Sequence, residues 1–417
     1  MNATSVPLSW QQTCSLERDP RLASRNLVAL VPLDPDVPYA DLKALVRAAE
    51  KDVEALRLRI TSSEAGSLLP PDAAPAITIS DHRQYISEDE VRIDVTKMSS
   101  GLTFERSEGA LCSVVLYDVV NDAGRPAKRW LAWFFDHLIS DVASLELFKD
   151  ACAQEPRAFG ELGGYEEWLR WQAENFRALD TPEADFWREH LRGAQLSICD
   201  HLPARIAGQD QLSSSITVAA RAIESHGGAL WTLCGEHNVT PFMVIAGAVA
   251  LAVAEATSIQ NMAFVLSTHG RDDASAQVFG YLSNLVPLGL TVDASRPLLT
   301  LDRVRAAVVD TAAHCSTPWP FINLALGMPR PDALGDATVT LNYLAQFPLT
   351  ADEFAELNGS TVSGEESGLW IDVMRRPEDG GFYLVVKYDP ARYETHRVGE
   401  LCDLMVSRWD QLLATAQ

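Results

Sequence analysis

The stretch WFFDHLISDV, residues 133–142, determines how the rest of the chain is interpreted. Its first half is large and apolar, as in a buried strand, and the apolar run breaks at Asp136 and His137. Residues 142–148, VASLELF, have helical composition, so we expect His137 at a strand end and Asp141 near a helix start. An imidazole there can accept a proton from an attacking nucleophile, and the carboxylate can fix the loop that carries it.

The same pattern also has an ordinary structural interpretation. A histidine at the end of a strand is often only a hydrogen-bonded loop residue, and a His-x-x-x-Asp spacing also arises by chance. The pattern alone leaves both interpretations open, so the rest of the chain has to decide between them.

The length of the chain predicts two lobes. Its 417 residues exceed the about 250–300 residues at which a single hydrophobic core stops growing. The composition, 47% hydrophobic and 22% charged, is that of an ordinary globular protein.

The net charge argues against two classes of partner. With 34 basic and 57 acidic residues, the formal charge is −23, and the sequence has no dense run of lysine and arginine. A nucleic acid or an anionic membrane would find little attraction on such a surface, so we expect neither as a partner.

Cysteine usage and the N-terminal sequence predict a cytoplasmic protein with reduced thiols. The seven cysteines are scattered and form no Cys-x-x-Cys pair, so we expect neither a disulfide framework nor a metal site. The N-terminus lacks the basic and apolar regions of an export signal. The longest apolar run, residues 242–254, is too short to span a bilayer and predicts a buried helix.

Helix and strand patterns alternate in the first half of the chain. Apolar residues at helical spacing predict a helix over residues 38–58, and strand formers predict neighbouring antiparallel strands over 110–120 and 130–135. Residues 141–152 and 163–178 have helical patterns. Thr181 and Pro182 then open a new helix, so we place the boundary between lobes of residues 1–180 and 181–417.

The second half repeats the mixture. Thr240 is the expected N-cap of the buried helix, with Pro241 at its first position. The remaining predictions are strands over residues 262–268, 338–344 and 382–389 and a closing helix over residues 397–413. The fold class is therefore α/β (α+β), with both kinds of element in each half.

Several motifs in register give the chain a family resemblance. It resembles a condensation domain of nonribosomal peptide synthetases, a member of the chloramphenicol-acetyltransferase-like acyltransferase superfamily, over nearly its whole length. Residues 136–142 lie on the family's H-H-x-x-x-D-G core motif. The other matching segments are PLSWQQ at 7–12, VEALRLR at 53–59, DFWR at 185–188 with LRGA at 191–194, TPFM at 240–243, GR at 270–271 and GYLSNLVPL at 280–288.

The resemblance implies a fold and an activity. Two acyltransferase-like lobes would form a V-shaped pseudo-dimer with a tunnel between them. The phosphopantetheine arm of a peptidyl or acyl carrier protein would deliver a thioester, and the chain itself would bind no cofactor. An amine or an alcohol, either tethered or a small soluble molecule, would attack the thioester to form an amide or ester in natural-product (antibiotic) biosynthesis. With no adenylation or carrier segment following in the sequence, a free-standing enzyme or an excised domain is expected.

The resemblance also assigns site residues. It implies that His137 is catalytic, either as a base or as the group that stabilises the tetrahedral intermediate. It implies that Asp141 pairs with Arg271 across the lobes as a structural brace, with Asp136 in a supporting role. The candidate residues of the substrate tunnel are Val142, His269, Ser283, Asn284, Asn342 and Tyr343.

Two positions depart from the family motif. Asp136 stands where the family has its first histidine, and Val142 stands where it has glycine, so the backbone freedom of that glycine is lost. Residues 268–272 resemble a segment of epimerisation domains, but Ser267 replaces the glutamate of those domains, which argues against epimerisation.

Two classes of function follow from these departures. The first is a condensing acyltransferase. The alternative is a catalytically silent condensation-like domain that recruits or positions a partner enzyme or a carrier protein. A weaker third hypothesis is a different reaction on a carrier-bound substrate.

Overall fold

Contacts between Cα atoms divide the chain into two compact units. The computed structural model describes residues 3–17, 26–72, 77–107, 111–154, 158–209, 211–328, 337–345, 347–363 and 368–415. Unit 1 comprises Met1–Ala178 and His269–Asn284, and unit 2 comprises Leu179–Thr268 and Leu285–Gln417. Both units contain helices and strands, which confirms the predicted α/β class.

Unit 1 contains a four-stranded sheet in the order β2-β7-β6-β5 and a three-stranded sheet in the order β1-β4-β3. Strand β7 pairs antiparallel with β6, as predicted, and β5 pairs parallel with β6. The strands are β1 Thr4–Pro7, β2 Asn26–Leu33, β3 Leu58–Ile60, β4 Ala65–Leu68, β5 Ile79–Tyr85, β6 Cys112–Val120 and β7 Pro126–Asp136. The helices are α1 Trp10–Glu17, α2 Tyr39–Asp52, α3 Glu88–Gly101, α4 Val142–Ala153 and α5 Tyr165–Asn175.

Strand β7 is buried on both faces, which explains its uninterrupted apolar sequence. Because side chains alternate along a strand, Trp133 and Phe135 face the larger core, where helices α2, α4 and α5 pack. Phe134 faces the other way, into a smaller apolar cluster with residues of helix α3. His137 therefore follows a strand whose register is set by apolar packing on both faces.

Residues 269–284 leave the second half of the chain and pack into unit 1. Phe279 lies 5.4 Å from Phe135 and 5.6 Å from Phe148, measured between ring centroids. Leu282 is fully buried in the same core. We refer to residues 269–284 as the inserted segment. The expected lobes, 1–180 and 181–417, assigned this segment to the second lobe. In the structure, its apolar side chains complete the core of unit 1.

Unit 2 is built on a seven-stranded sheet in the order β10-β9-β11-β13-β14-β8-β12. Its strands are β8 Ser215–Ile223, β9 Asn261–Thr268, β10 Asn284–Thr291, β11 Val339–Leu344, β12 Thr361–Ser363, β13 Leu369–Arg375 and β14 Phe382–Tyr388. Its helices are α6 Pro182–His190, α7 Ala229–His237, α8 Pro241–Thr257, α9 Pro297–Ala313, α10 Trp319–Ala325, α11 Ala351–Leu357 and α12 Thr395–Ala414. Helix α8 is buried over nearly its whole length, and the Thr240 hydroxyl accepts a hydrogen bond from the Met243 N–H, as the predicted N-cap requires.

The predicted helix over residues 38–58 ends early. Helix α2 stops at Asp52, because Val53 adopts an extended backbone (φ −90°, ψ 104°), and a 3-10 turn at Glu54–Arg57 leads into β3. Val53 and Leu56 are both buried, as their apolar character predicted. Their apolar character predicted that they are buried, but it did not indicate that they lie outside the helix.

Cysteine chemistry and hydropathy add two findings. All seven cysteines lie within the described residues and carry free thiols, and four of them are buried.

Among the described helices, no single one is long and apolar enough to cross a bilayer. Helices α7 and α8 reach that length only when taken together, with a 95° bend between them.

Candidate active site around His137

His137 lies on a single 3-10 turn, His137–Ile139, directly after strand β7. Asp136 caps this turn, and its Oδ1 accepts a hydrogen bond from the Leu138 N–H at 2.9 Å. The Ser140 hydroxyl donates to the Asp136 carbonyl at 3.2 Å. Asp136 is thus placed to support the turn that carries the imidazole, in the position where the family has its first histidine.

Arg106 anchors the second oxygen of Asp136. Its Nε lies 3.3 Å from Asp136 Oδ2, and the Asp136 side chain is 3% exposed. Both residues line an open pocket of about 260 Å³, together with Asn26 and Phe104. A buried carboxylate needs such a partner, because an unpaired charge is costly to remove from water.

Gln12 holds the same turn from the other side. Its Nε2 donates to the Leu138 carbonyl at 2.7 Å and to the Tyr165 hydroxyl at 2.9 Å. Its Oε1 accepts from the Ser9 N–H at 2.9 Å, so this fully buried amide is well satisfied. The sequence placed Gln12 in a matching motif but gave it no role, because 126 residues separate it from Leu138.

The imidazole of His137 has one closed side and one available side. The residue is half-buried, and its Nδ1 is buried without a hydrogen-bond partner among the described residues. Its ring lies against Tyr281, with ring centroids 4.6 Å apart and planes inclined by 57°. Because Nδ1 is closed off, Nε2 is the ring nitrogen left for a reacting group.

Asp141 is the N-cap of helix α4, and both of its carboxylate oxygens accept hydrogen bonds from protein groups. Its Oδ1 accepts from the Ser144 N–H at 2.8 Å. Both of its oxygens accept from Arg271, Oδ2 from NH1 and Oδ1 from NH2, each at 2.9 Å. Planar, bidentate pairing of this kind is among the strongest side-chain contacts in proteins.

Arg271 is satisfied on all sides within the described structure. Besides Asp141, it donates to the carbonyls of His269 at 2.8 Å and Val278 at 3.1 Å and to the Ser144 hydroxyl at 2.8 Å. The pairing that the family resemblance implied is therefore present, but both partners lie in unit 1 and not in separate lobes. Arg271, which the expected lobes assigned to residues 181–417, belongs to the inserted segment, so the pair joins two parts of unit 1.

The brace also fixes the backbone of the inserted segment. Asp141 Oδ2 accepts from the N–H groups of Leu282 at 2.9 Å and Ser283 at 2.8 Å. The Ser144 hydroxyl accepts from the Gly280 N–H at 3.0 Å and donates to its carbonyl at 2.7 Å. The chain on both sides of Tyr281 is thus tied to the N-terminal turn of helix α4.

Gly270 permits the close approach that this arrangement requires. Its φ is +63°, and a Cβ added there would lie 1.9 Å from the Leu282 carbonyl oxygen. We expect Gly270→Ala to lower the free energy of unfolding by about 2–5 kcal/mol through backbone strain and overlap. Urea unfolding of the variant and the wild type measures this difference in the free energy of unfolding.

Gly124→Ala is the matched control for Gly270→Ala. Gly124 has a similar φ of +70°, but an added Cβ would meet nothing within 4 Å. This variant carries the backbone strain alone, expected at about 1–2 kcal/mol. Equal losses of stability in the two variants would contradict the close-approach explanation.

The other candidates near His137 fall into two groups. Ser283 and Asn284 continue the inserted segment, and Asn284 is buried. His269 and Val142 are exposed, and His269 Nδ1 accepts from the Arg271 N–H at 3.1 Å. Val142 is the first residue of helix α4, and its side chain meets solvent. Contact of any of these residues with substrate stays a prediction.

Asn342 and Tyr343 belong to unit 2 and point to opposite faces of its sheet, because they are successive residues of β11. Tyr343 packs against Phe242, with ring centroids 5.6 Å apart, and burial raises the pKa of its phenol. Asn342 donates to Asp372 Oδ1 at 3.1 Å on the other face. The two side chains therefore lie on opposite faces of the sheet, and contact of either one with substrate stays a prediction.

The residues around His137 suit proton transfer or hydrogen bonding to a reacting carbonyl. The turn is held from two sides, and one ring nitrogen remains available. Within the described part of the chain, no group of three or more His, Cys, Asp or Glu side chains is arranged to hold a metal ion.

Comparison with known proteins gives a family match and several structural neighbours. The family model described as "Condensation domain" matches residues 106–417. No curated protein sequence matches the chain.

Solved structures share the fold at low sequence identity. The first condensation domain of the calcium-dependent antibiotic synthetase, in complex with a substrate analogue, is 18% identical, with a TM-score of 0.67 over 99% of this chain and 96% of that chain. The X-domain from teicoplanin biosynthesis, in complex with OxyB, is 17% identical, with a TM-score of 0.70 over 99% and 94%. A structure concerned with condensation domain-mediated chain release from the enacyloxin polyketide synthase is 15% identical, with a TM-score of 0.73 over 98% and 82%.

Proposed function

Because the chain belongs to the condensation-domain family, we propose that it is an acyltransferase acting on a thioester. It would join an acyl or aminoacyl group, held on a carrier protein, to an amine or an alcohol. The observation that carries this proposal is the half-buried imidazole of His137, which lies on a turn fixed by Asp136 and Gln12 with one nitrogen left for substrate.

The reaction needs one proton to move. A new C–N or C–O bond forms as the nucleophile attacks the thioester carbonyl, and the C–S bond then breaks. The proton lost by the nucleophile is gained by the departing thiolate. His137 can carry that proton as a general base and acid, or it can donate a hydrogen bond to the oxyanion of the intermediate.

The donor would arrive on the phosphopantetheine arm of a peptidyl or acyl carrier protein, and the chain itself would bind no cofactor. The acceptor would be either tethered or a small soluble molecule. The similarity in fold to domains of an antibiotic synthetase and a polyketide synthase supports a place in natural-product biosynthesis. The acidic chain, with a net charge of −23, would need a local apolar or basic docking patch for an acidic carrier.

Intact-protein mass spectrometry of loaded carrier proteins tests the proposal. Acyl carrier proteins are incubated with the chain and with a panel of amines and alcohols. We expect a loaded carrier protein to lose the mass of its acyl group only when both the chain and a suitable nucleophile are present. The amide or ester should appear in an amount equal to the acyl group lost. Loss of the acyl group at the same rate without the chain would contradict enzymatic transfer.

A second candidate function is recruitment without catalysis. Asp136 replaces the first histidine of the family motif, and one structural neighbour, the X-domain, is solved in complex with a second protein, OxyB. In this alternative, the chain would position a partner enzyme or a carrier protein. The two functions differ in whether the pathway product depends on the imidazole of His137.

A further inference from the structure

Tyr281 is the aromatic neighbour of the imidazole in unit 1. Its ring centroid lies 4.6 Å from that of His137, and the two planes are inclined by 57°. The Tyr281 hydroxyl lies 3.5 Å from the Ser15 hydroxyl. Rings at this separation are in van der Waals contact, so no substrate group fits between them.

The backbone holds Tyr281 in this place with little freedom. Gly280 on one side is bonded twice to the Ser144 hydroxyl, and Leu282 on the other side donates to Asp141. Leu282 is fully buried in the core of unit 1. An added Cβ on Gly280 would lie 2.3 Å from the ring of Tyr165, so the chain passes close to that buried side chain.

Through these contacts, the buried ion pair also determines the position of Tyr281. The pair between Asp141 and Arg271 fixes the inserted segment, and the inserted segment places one side chain, Tyr281, against the imidazole. The Nδ1 edge of His137 is already buried. With Tyr281 against the ring and Nδ1 closed, approach to Nε2 is limited to the remaining side.

We propose that Tyr281 positions His137 and selects the acceptor, favouring a nucleophile on an unbranched carbon over one on an α-branched carbon. This inference rests on the proposed acyl transfer. The ring of Tyr281 restricts rotation of the imidazole and occupies the space that a branch next to the nucleophilic atom would need. Its packing surface, and not its hydroxyl, performs both tasks.

Three variants separate these effects. Tyr281→Phe keeps the ring and removes the hydroxyl, whereas Tyr281→Leu removes the ring. Tyr85→Leu is the matched control, because Tyr85 is another half-buried tyrosine of unit 1, stacked on Tyr117 at 6.2 Å between ring centroids. The acceptors are benzylamine and α-methylbenzylamine, and benzyl alcohol and 1-phenylethanol, each pair differing by one methyl group beside the nucleophile.

We expect Tyr281→Phe to keep kcat and the acceptor preference of the wild type. Tyr281→Leu is expected to lower kcat for the unbranched acceptor about tenfold, since a misplaced imidazole reacts poorly. It is also expected to shift the ratio of kcat/KM for the two acceptors of a pair at least about tenfold toward the branched one, which is the usual worth of one methyl group in a pocket. Tyr85→Leu is expected to change neither quantity.

The NMR signals of the His137 ring in the free protein provide a readout independent of activity. They should move in Tyr281→Leu and stay in place in Tyr281→Phe, because only the first variant removes the neighbouring ring. An active Tyr281→Leu protein with the acceptor preference of the wild type contradicts the inference alone. Absence of product from the wild type with every carrier and acceptor tested contradicts the proposed function, and the inference with it.

Discussion

Replacing His137 with alanine is expected to slow acyl transfer about 10²–10⁴-fold, the usual contribution of a positioned acid or base. The fold should survive, because the Asp136 and Gln12 bonds to the turn reach the N–H and carbonyl of Leu138 and not the imidazole. The free energy of unfolding should therefore stay within about 1 kcal/mol of the wild-type value. Single-turnover transfer from a loaded carrier protein, together with urea unfolding, measures both quantities.

His226→Ala is the control for this variant. His226 is a histidine of unit 2 whose Nε2 lies 2.9 Å from Asp410 at the surface, so its removal tests only the general effect of losing an imidazole. Transfer by His226→Ala should match the wild type. If His137→Ala also transfers at the wild-type rate, His137 is not the catalytic group. If the pathway product persists unchanged with His137→Ala and the wild-type chain transfers no acyl group in the assay, the enzymatic proposal is wrong and recruitment remains.

Removing the carboxylate of Asp141 is expected to destabilise the protein severely. Asp141→Ala leaves the guanidinium of Arg271 buried without its partner, which typically costs about 3–5 kcal/mol. It also removes the N-cap of helix α4, typically about 1 kcal/mol more. We expect poor expression, or a large fall in the midpoint of urea unfolding.

Asp141→Asn keeps the experiment informative if the alanine variant does not fold. Asparagine still caps helix α4, so its loss of stability reports the missing charge. Asp185→Ala is the matched control, because the ion pair of Asp185 with Arg188 is exposed and worth about 0–1 kcal/mol. An Asp141→Ala protein that is soluble, as stable as the wild type and merely slow would contradict the brace.

The sequence predicted the core of the site because its signals are local. The apolar run up to Phe135 and the break at Asp136 placed His137 at a strand end. The Thr240 cap placed the start of helix α8 at Pro241, as observed, and the apolar run after it ended three residues before the helix does, at Thr257. The prediction extended helix α2 too far, to residue 58, because Val53 and Leu56 are buried although they lie outside the helix.

The contacts that support His137 were less accessible to sequence analysis. Arg271 bonds Asp141 across 130 residues, and Gln12 bonds Leu138 across 126, so no periodic pattern connects them. The family resemblance implied the first contact, but it gave no role to Gln12 or Tyr281. It also did not indicate that residues 269–284 pack into the first unit, since short apolar stretches do not show which core they will join.

The packing of the inserted segment into unit 1 limits where the chain can be cut into two fragments. A fragment ending at Ala178 would lack Arg271 and Phe279, so the carboxylate of Asp141 would lose its counter-charge and Phe135 would lose a packing partner. The complementary fragment would expose Phe279 and Leu282 as an unsheltered apolar loop. Split-protein or domain-shuffling designs that cut the chain between residues 178 and 179 should therefore aggregate, unless a peptide spanning residues 269–284 is returned to the first half.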